Sequence, residues 1–275
     1  MVGLLLGRIL KKERLSGCRA LGGAIRLKVM DCESYASSLE SIGDLYGVSA
    51  SAVVRTLRGI DLDRECEKAP YVSPCELLLE SFESGIGSQA QTIQRVCWFH
   101  LTRVPPGTDF SEGILPLHDA LDKIWQTIIS IPTDPDTRTN LRQLRESGVG
   151  SHYELKTGSR LHSGPYAMLV RESAFSAHSV GNHDYLALPE IIEDICNGYL
   201  KKFGTTIHDE VCAALLPCIV KFEVADEETT RLICPVLNYC LHKERGQELS
   251  TETNTCYDGE GKLIPRSAIR NIEFL

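Results

Sequence analysis

Trp98-Phe99-His100-Leu101-Thr102-Arg103, followed by Gly113-Ile114-Leu115-Pro116-Leu117, is the stretch whose reading decides the fold. Read as a strand, its alternation puts His100 and Thr102 on one face, with Phe99 and Leu101 on the other. A polar pair on an apolar strand needs a reason, because an unpaired buried polar group costs roughly 1–3 kcal/mol. Two readings compete: a hydrogen-bonded pair inside a core, or a ligand-binding pair in a cleft.

Outward from this strand the pattern is mixed. Residues 31–84 are helical in spacing, with Leu39, Ile42, Leu45 and Tyr46 on one face and Val53, Val54, Leu57 and Ile60 continuing after a break. The break is Gly47-Val48-Ser49, where Gly suits the end of one helix and Ser49 or Ser51 the start of the next. A further helix opens at Ser73-Pro74, and 85–90 reads as a linker. Past the central strand, 117–131 is an amphipathic helix ended by Pro132-Thr133-Asp134-Pro135. The polar stretch 134–163 reads as a short helix and a loop, 166–171 as a strand, and Pro189 opens a helix through Tyr199. A strand at 218–224, a helix around 229–243, a turn at 257–262 and a final strand at 269–274 complete the chain. Without regular βαβ spacing the expected class is α+β. Its expected parts are a basic leader over 1–29, a small helical domain over 30–88, and a domain over 93–275 with a mixed, mostly antiparallel sheet and flanking helices.

Charge narrows the function classes. Residues 1–29 hold seven Lys or Arg and one acid, a charge of +6, against −8 for all 275 residues, so the rest carries −14. The leader has neither a tidy signal-peptide form nor clean helix caps, and is expected to be partly disordered or loosely docked. The acidic body argues against general affinity for nucleic acid phosphates. No apolar run approaches the roughly 18–20 residues of a membrane span. Eleven scattered cysteines without a CxxC, in a chain with no secretory signal, favour reduced thiols in a cytoplasm.

Ile42 through Arg58 resembles the helix-turn-helix of bacterial regulators, two helices about a tight Gly turn. Residues 31–70 hold eight acids against four bases, and the second helix offers only Arg55 and Arg58 to a duplex. A phosphate-binding face should be basic, so packing or partner binding is favoured over weak DNA contact through those two arginines.

The sequence has no GxSxG, P-loop, HExxH or Rossmann glycine set. His178 and His183, close to Asp184, lack a third ligand at telling spacing, so no metal site is expected. Glu190 and Asp194 share a helix face, and Glu223 faces a cleft or solvent.

Phe99-His100-Leu101-Thr102 and Gly113-Ile114-Leu115 resemble the first strand and following turn of the ADP-ribosyltransferase-like fold, of the diphtheria-toxin and poly-ADP-ribose-polymerase type. Ile264-Pro265-Arg266-Ser267-Ala268-Ile269-Arg270-Asn271-Ile272-Glu273-Phe274 is similar to its closing segment, so the resemblance covers 93–275. It implies NAD as substrate. His100 and Thr102 would hold the dinucleotide, with Gly113 in the adjoining turn. Tyr166 would stack on nicotinamide, and Glu252, just before Thr253–Tyr257, would polarise the ribose hydroxyl. Loss of nicotinamide develops positive charge on the ribose, so a fixed ribose and a carboxylate lower the barrier. The expected function is an NAD-binding, ADP-ribosyltransferase-like protein that transfers ADP-ribose to a protein, nucleic acid or small-molecule acceptor. The alternatives are a helix-turn-helix DNA-binding protein with an inert ligand-sensing domain, and an interaction protein such as one half of a toxin or defence pair.

Overall fold

The computed structural model describes residues 27–160, 163–225 and 229–275, so the leader expected over 1–29 falls, but for its last three residues, outside them. In chain order the strands and α-helices are β1 (Val29–Met30), α1 (Tyr35–Tyr46), α2 (Ala50–Gly59), α3 (Leu62–Lys68), α4 (Pro74–Ile86), β2 (Arg95–Val104), α5 (Leu117–Ser130), α6 (Pro135–Ser147), α7 (Ser151–Thr157), β3 (Tyr166–Met168), α8 (Glu190–Phe203), α9 (His208–Ala214), β4 (Leu216–Val224), α10 (Thr229–Arg245), β5 (Cys256–Asp258) and β6 (Ile269–Phe274).

Local chemistry sets the helix ends. Ser34 and Ser37 close a capping box at the start of α1, which stops where Gly47 turns left-handed at φ 69°. Ser49 caps α2 by accepting from the Ala52 amide at 3.3 Å. The turn between them folds hard onto α1: a Cβ on Gly43 would lie 2.7 Å from the Val48 carbonyl oxygen. Ser73 and Pro74 start α4 in the same local way.

The sheet runs β5-β3-β2-β4-β6, every neighbouring pair antiparallel, with β1 added parallel to the start of β2. The chain is α+β. β2 and β4 pair from Val96↔Val224 to Val104↔Leu216. One sheet face carries Val96, Trp98, Ala167, Cys218, Val220 and Phe222, buried in one core with Ile42, Leu45, Leu57, Leu78 and Phe82 of the helical segment. α10 packs on α1, α2 and α4 and joins the same core, contributing Leu232, Val236, Leu237 and Tyr239. The other face carries Phe99, Leu101, Met168 and Ile219, with Tyr185 and Leu186 packed over it. Arg103 seals that side by donating to the carbonyls of Leu186 (2.7 Å), Cys212 (2.7 Å) and Leu215 (2.6 Å). A separate core joins α5, α6, α8 and α9 through Trp125, Ile128, Leu141, Leu144, Ile195, Tyr199 and Val211.

Three local expectations are corrected. The linker expected at 85–90 begins later, because α4 runs to Ile86 and uses Gly85 as a packing residue: a Cβ there would meet Thr56 Cγ2 at 2.8 Å. The polar stretch 134–163 forms two helices, α6 and α7. The strand expected over 166–171 ends at Met168, because the Leu169 and Val170 amides turn to Asn254 Oδ1 at 3.1 and 3.0 Å.

Candidate functional site

His100 and Thr102 do not bond to each other. The His100 Nδ1 lies 2.7 Å from the Tyr166 carbonyl oxygen, so Nδ1–H donates to the neighbouring strand. Neither His100 Nε2 nor the Thr102 hydroxyl has a hydrogen-bond partner among the described residues. Both are half-buried on the face of Val220 and Cys218, the residues directly across on β4. Burial lowers the His100 pKa, opposed by its bond to the Tyr166 backbone. The ring is therefore neutral at pH 7, with the proton on Nδ1 and an acceptor lone pair on Nε2.

The turn after β2 is fastened to the closing segment. Gly113 has φ 85°, and a Cβ there would collide with the Ile264 carbonyl oxygen. This close approach lets Ile114 and Ile264 exchange both backbone hydrogen bonds, at 2.9 and 3.1 Å. Two stretches 150 positions apart, 114 and 264, thus form one strip.

Tyr166 meets His100 through its backbone only. The Phe99↔Met168 pair puts Met168, and by alternation Tyr166, on the Phe99 face, while His100 occupies the opposite face. Tyr166 is 43% exposed, and burial together with the Asp258 and Glu190 charges raises its phenol pKa. Glu252 is exposed in a 3-10 turn over Thr251–Thr253, held by a capping box between Ser250 and Thr253. Its charge acts on Cys75 of α4, and no carboxylate contributes to the His100 shift. The structure brings together His100, Thr102 and the Tyr166 carbonyl on neighbouring strands. It does not bring the Tyr166 ring or Glu252 to the His100 side chain.

The other candidate residues have local partners. Arg58 donates to Glu244 of α10 at 2.6 Å, and the Tyr35 hydroxyl donates to the other Glu244 oxygen. Those bonds hold the Glu244 carboxyl below the ordinary range, the Tyr35 bond contributing most. Arg55 is exposed. His183 Nε2 lies 2.6 Å from the Leu188 carbonyl, His178 is exposed, and no cluster able to hold a metal occurs among the described residues. Glu190 and Asp194 do share a face, and both meet Lys156, at 3.8 and 2.8 Å. Glu223 bonds Arg95 at 2.6 Å and Arg270 at 3.0 Å.

A cleft of about 1010 Å³ opens elsewhere, between the loop after β3 and the chain end, lined by Glu172, Phe175, His178, Asp184, Leu249 and Leu275 among others. Glu172 enters it while held by the Tyr239 hydroxyl at 2.8 Å and Lys243 at 2.7 Å. No sequence periodicity marks these residues, because they come from loops and the last residue. His100, Thr102, Gly113, Tyr166 and Glu252 do not line it. Among the described residues no helix is long and apolar enough to cross a membrane. No protein-family model, curated protein or solved structure matches the chain.

Proposed function

We propose that this chain is an NAD-binding, ADP-ribosyltransferase-like protein that holds the dinucleotide through His100 and Thr102 and transfers ADP-ribose slowly to a macromolecular or small-molecule acceptor. One observation carries the reading. On a central strand otherwise packed into cores, His100 Nε2 and the Thr102 hydroxyl share a face and neither has a protein partner. Half-buried rather than sealed, the two groups are open to solvent and so to a ligand that replaces it. The neutral imidazole, oriented by its Nδ1–H bond to Tyr166, offers Nε2 as acceptor to a ribose hydroxyl, and Thr102 adds a donor and an acceptor two residues on. Turnover is slow in this reading, because no described carboxylate acts where positive charge would develop on the ribose.

NAD titration by calorimetry, with nicotinamide release followed in parallel, tests it. Saturable binding is expected, weakened at least tenfold in His100→Ala, a loss of about 1.4 kcal/mol. Nicotinamide release should be slow and indifferent to Glu252→Gln. Absence of binding at millimolar NAD, or equal binding by His100→Ala, would overturn the reading. The helix-turn-helix reading has less support: Arg58, one of its two phosphate-facing arginines, is already engaged by Glu244.

A further inference from the structure

α4 packs on α10, and two cysteines meet where they touch. Cys75 is the second residue of α4, after the Ser73 cap and Pro74, and is half-buried. Cys234 lies in α10 just before Pro235 and is buried. The Cys234 Sγ sits 3.3 Å from the Cys75 carbonyl oxygen, so the Cys234 thiol lies against the residue that carries the other thiol. From there the Cys234 S–H can turn from the Cys75 carbonyl to the Cys75 sulfur once that sulfur is ionised. That bond holds the Cys75 thiol below its ordinary value, against burial and the nearby Glu76 and Glu252 carboxylates. The same bond, then burial, pushes the Cys234 thiol up. A helix N-terminus adds its own preference for a thiolate. The result is an asymmetric pair: one sulfur partly reached by solvent with its pKa lowered, the other enclosed with its pKa raised.

We propose that Cys75 and Cys234 form a reversible disulfide that clamps α4 to α10 when the chain meets hydrogen peroxide. The Cys75 thiolate attacks one peroxide oxygen: an S–O bond forms, the O–O bond breaks and hydroxide leaves. Cys75 is thereby oxidised to a sulfenic acid and the peroxide reduced. Cys234 then attacks the Cys75 sulfur. An S–S bond forms, the S–O bond breaks, and the Cys234 proton leaves with the departing oxygen as water. The surrounding charge selects the oxidant. Glu76 and Glu252 act on Cys75, and Glu76 and Glu83 on Cys234, so an anionic oxidant such as glutathione disulfide is repelled while neutral peroxide is not. The clamp would lock the helical segment to the helix that forms the shared core with the sheet.

The test is a peptide map of the full reduced chain after hydrogen peroxide treatment, alkylation of residual thiols and digestion without reductant. One cross-linked pair joining Cys75 to Cys234 is expected, two hydrogens lighter than its parts and dissolved by dithiothreitol, together with an upward shift in Tm. Cys66→Ser and Cys256→Ser should keep the link and the shift, and Cys75→Ser should lose both. Three results would overturn the proposal: Cys75 passing to sulfinic acid while Cys234 stays reduced, Cys75 pairing with another cysteine, or Cys75 pairing with a second copy of the chain. Should Cys75→Ser fail to fold, the wild-type map decides alone.

Discussion

Arg58 and Glu244 meet at 2.6 Å although 186 positions separate them in the chain. The Arg58 side chain is 70% exposed, whereas that of Glu244, covered by Arg58 and Tyr35, is only 9% exposed. The second helix of the helix-turn-helix-like pair is therefore turned toward α10. Replacing Glu244 with Ala strands the Tyr35 hydroxyl as well as the guanidinium and should cost about 1–2 kcal/mol in urea unfolding. Arg58→Ala should cost half of that or less, because its end of the pair is solvated. Equal losses would mean that the Tyr35 bond contributes nothing. Since the folded Glu244 pKa is depressed, its contribution is complete above the ordinary carboxylate range and fades as pH falls through the folded value. The gap between wild type and Glu244→Ala should narrow accordingly in acid.

Lys221 is a second long-range tie. Its Nζ lies 2.6 Å from Asp31 and 2.7 Å from Glu33, with the side chain 12% exposed and over the Phe99 ring. Lys221→Met leaves two carboxylates beside each other without a cation and should destabilise the chain by about 3 kcal/mol in chemical denaturation. Adding Asp31→Asn to that variant should recover part of the loss. A double variant as unstable as the sum of the singles would show that the charges do not interact. Burial alone would lower the Lys221 pKa, but its two carboxylate partners raise it on balance. The Lys221 contribution is thus present at neutral pH and is lost as pH rises through the folded value.

Gly113→Ala introduces a Cβ at φ 85° against the Ile264 carbonyl. Backbone strain and collision together should cost about 2 kcal/mol or more. Hydrogen exchange provides the local readout: the Ile114 and Ile264 amides, bonded to each other's carbonyls, should exchange faster while amides of the β2–β4 ladder keep their protection. Uniform acceleration across the sheet would instead mean that the strip is part of the global unfolding unit.

His100 should stay neutral through the range where a free imidazole titrates, because burial lowers its pKa. An NMR titration should place its midpoint below 6.5. The depressed value makes folding favourable above the unfolded pKa and progressively less so as pH falls toward the folded one. His100→Gln, which does not titrate, should flatten the part of the acid stability curve between those two values. A midpoint above 6.5 would remove the acceptor role given to Nε2.

Helix ends and the central strand were legible in the chain itself. Gly47, Ser49 and the Ser73-Pro74 pair act within a few residues of where they sit, so their effect needs no distant partner. The final strand over Ile269–Phe274 was legible in the same way. β1 has two residues and α3 and α9 seven each, too short for a period to declare itself. Glu252 was read toward a strand, but Ser250 and Thr253 close a cap around it and turn it outward.

By itself the sequence determined the breaks at Gly47-Ser49 and Ser73-Pro74 and that His100 and Thr102 share one face of a strand, because capping and alternation are written within a few residues. Only the tertiary structure decided what that face meets. His100 bonds a carbonyl 66 positions away, and the Phe99↔Met168 register carries the Tyr166 ring to the other side of the sheet. Pairing between distant strands is settled by packing of whole faces, and a one-residue change of register would have reversed the outcome.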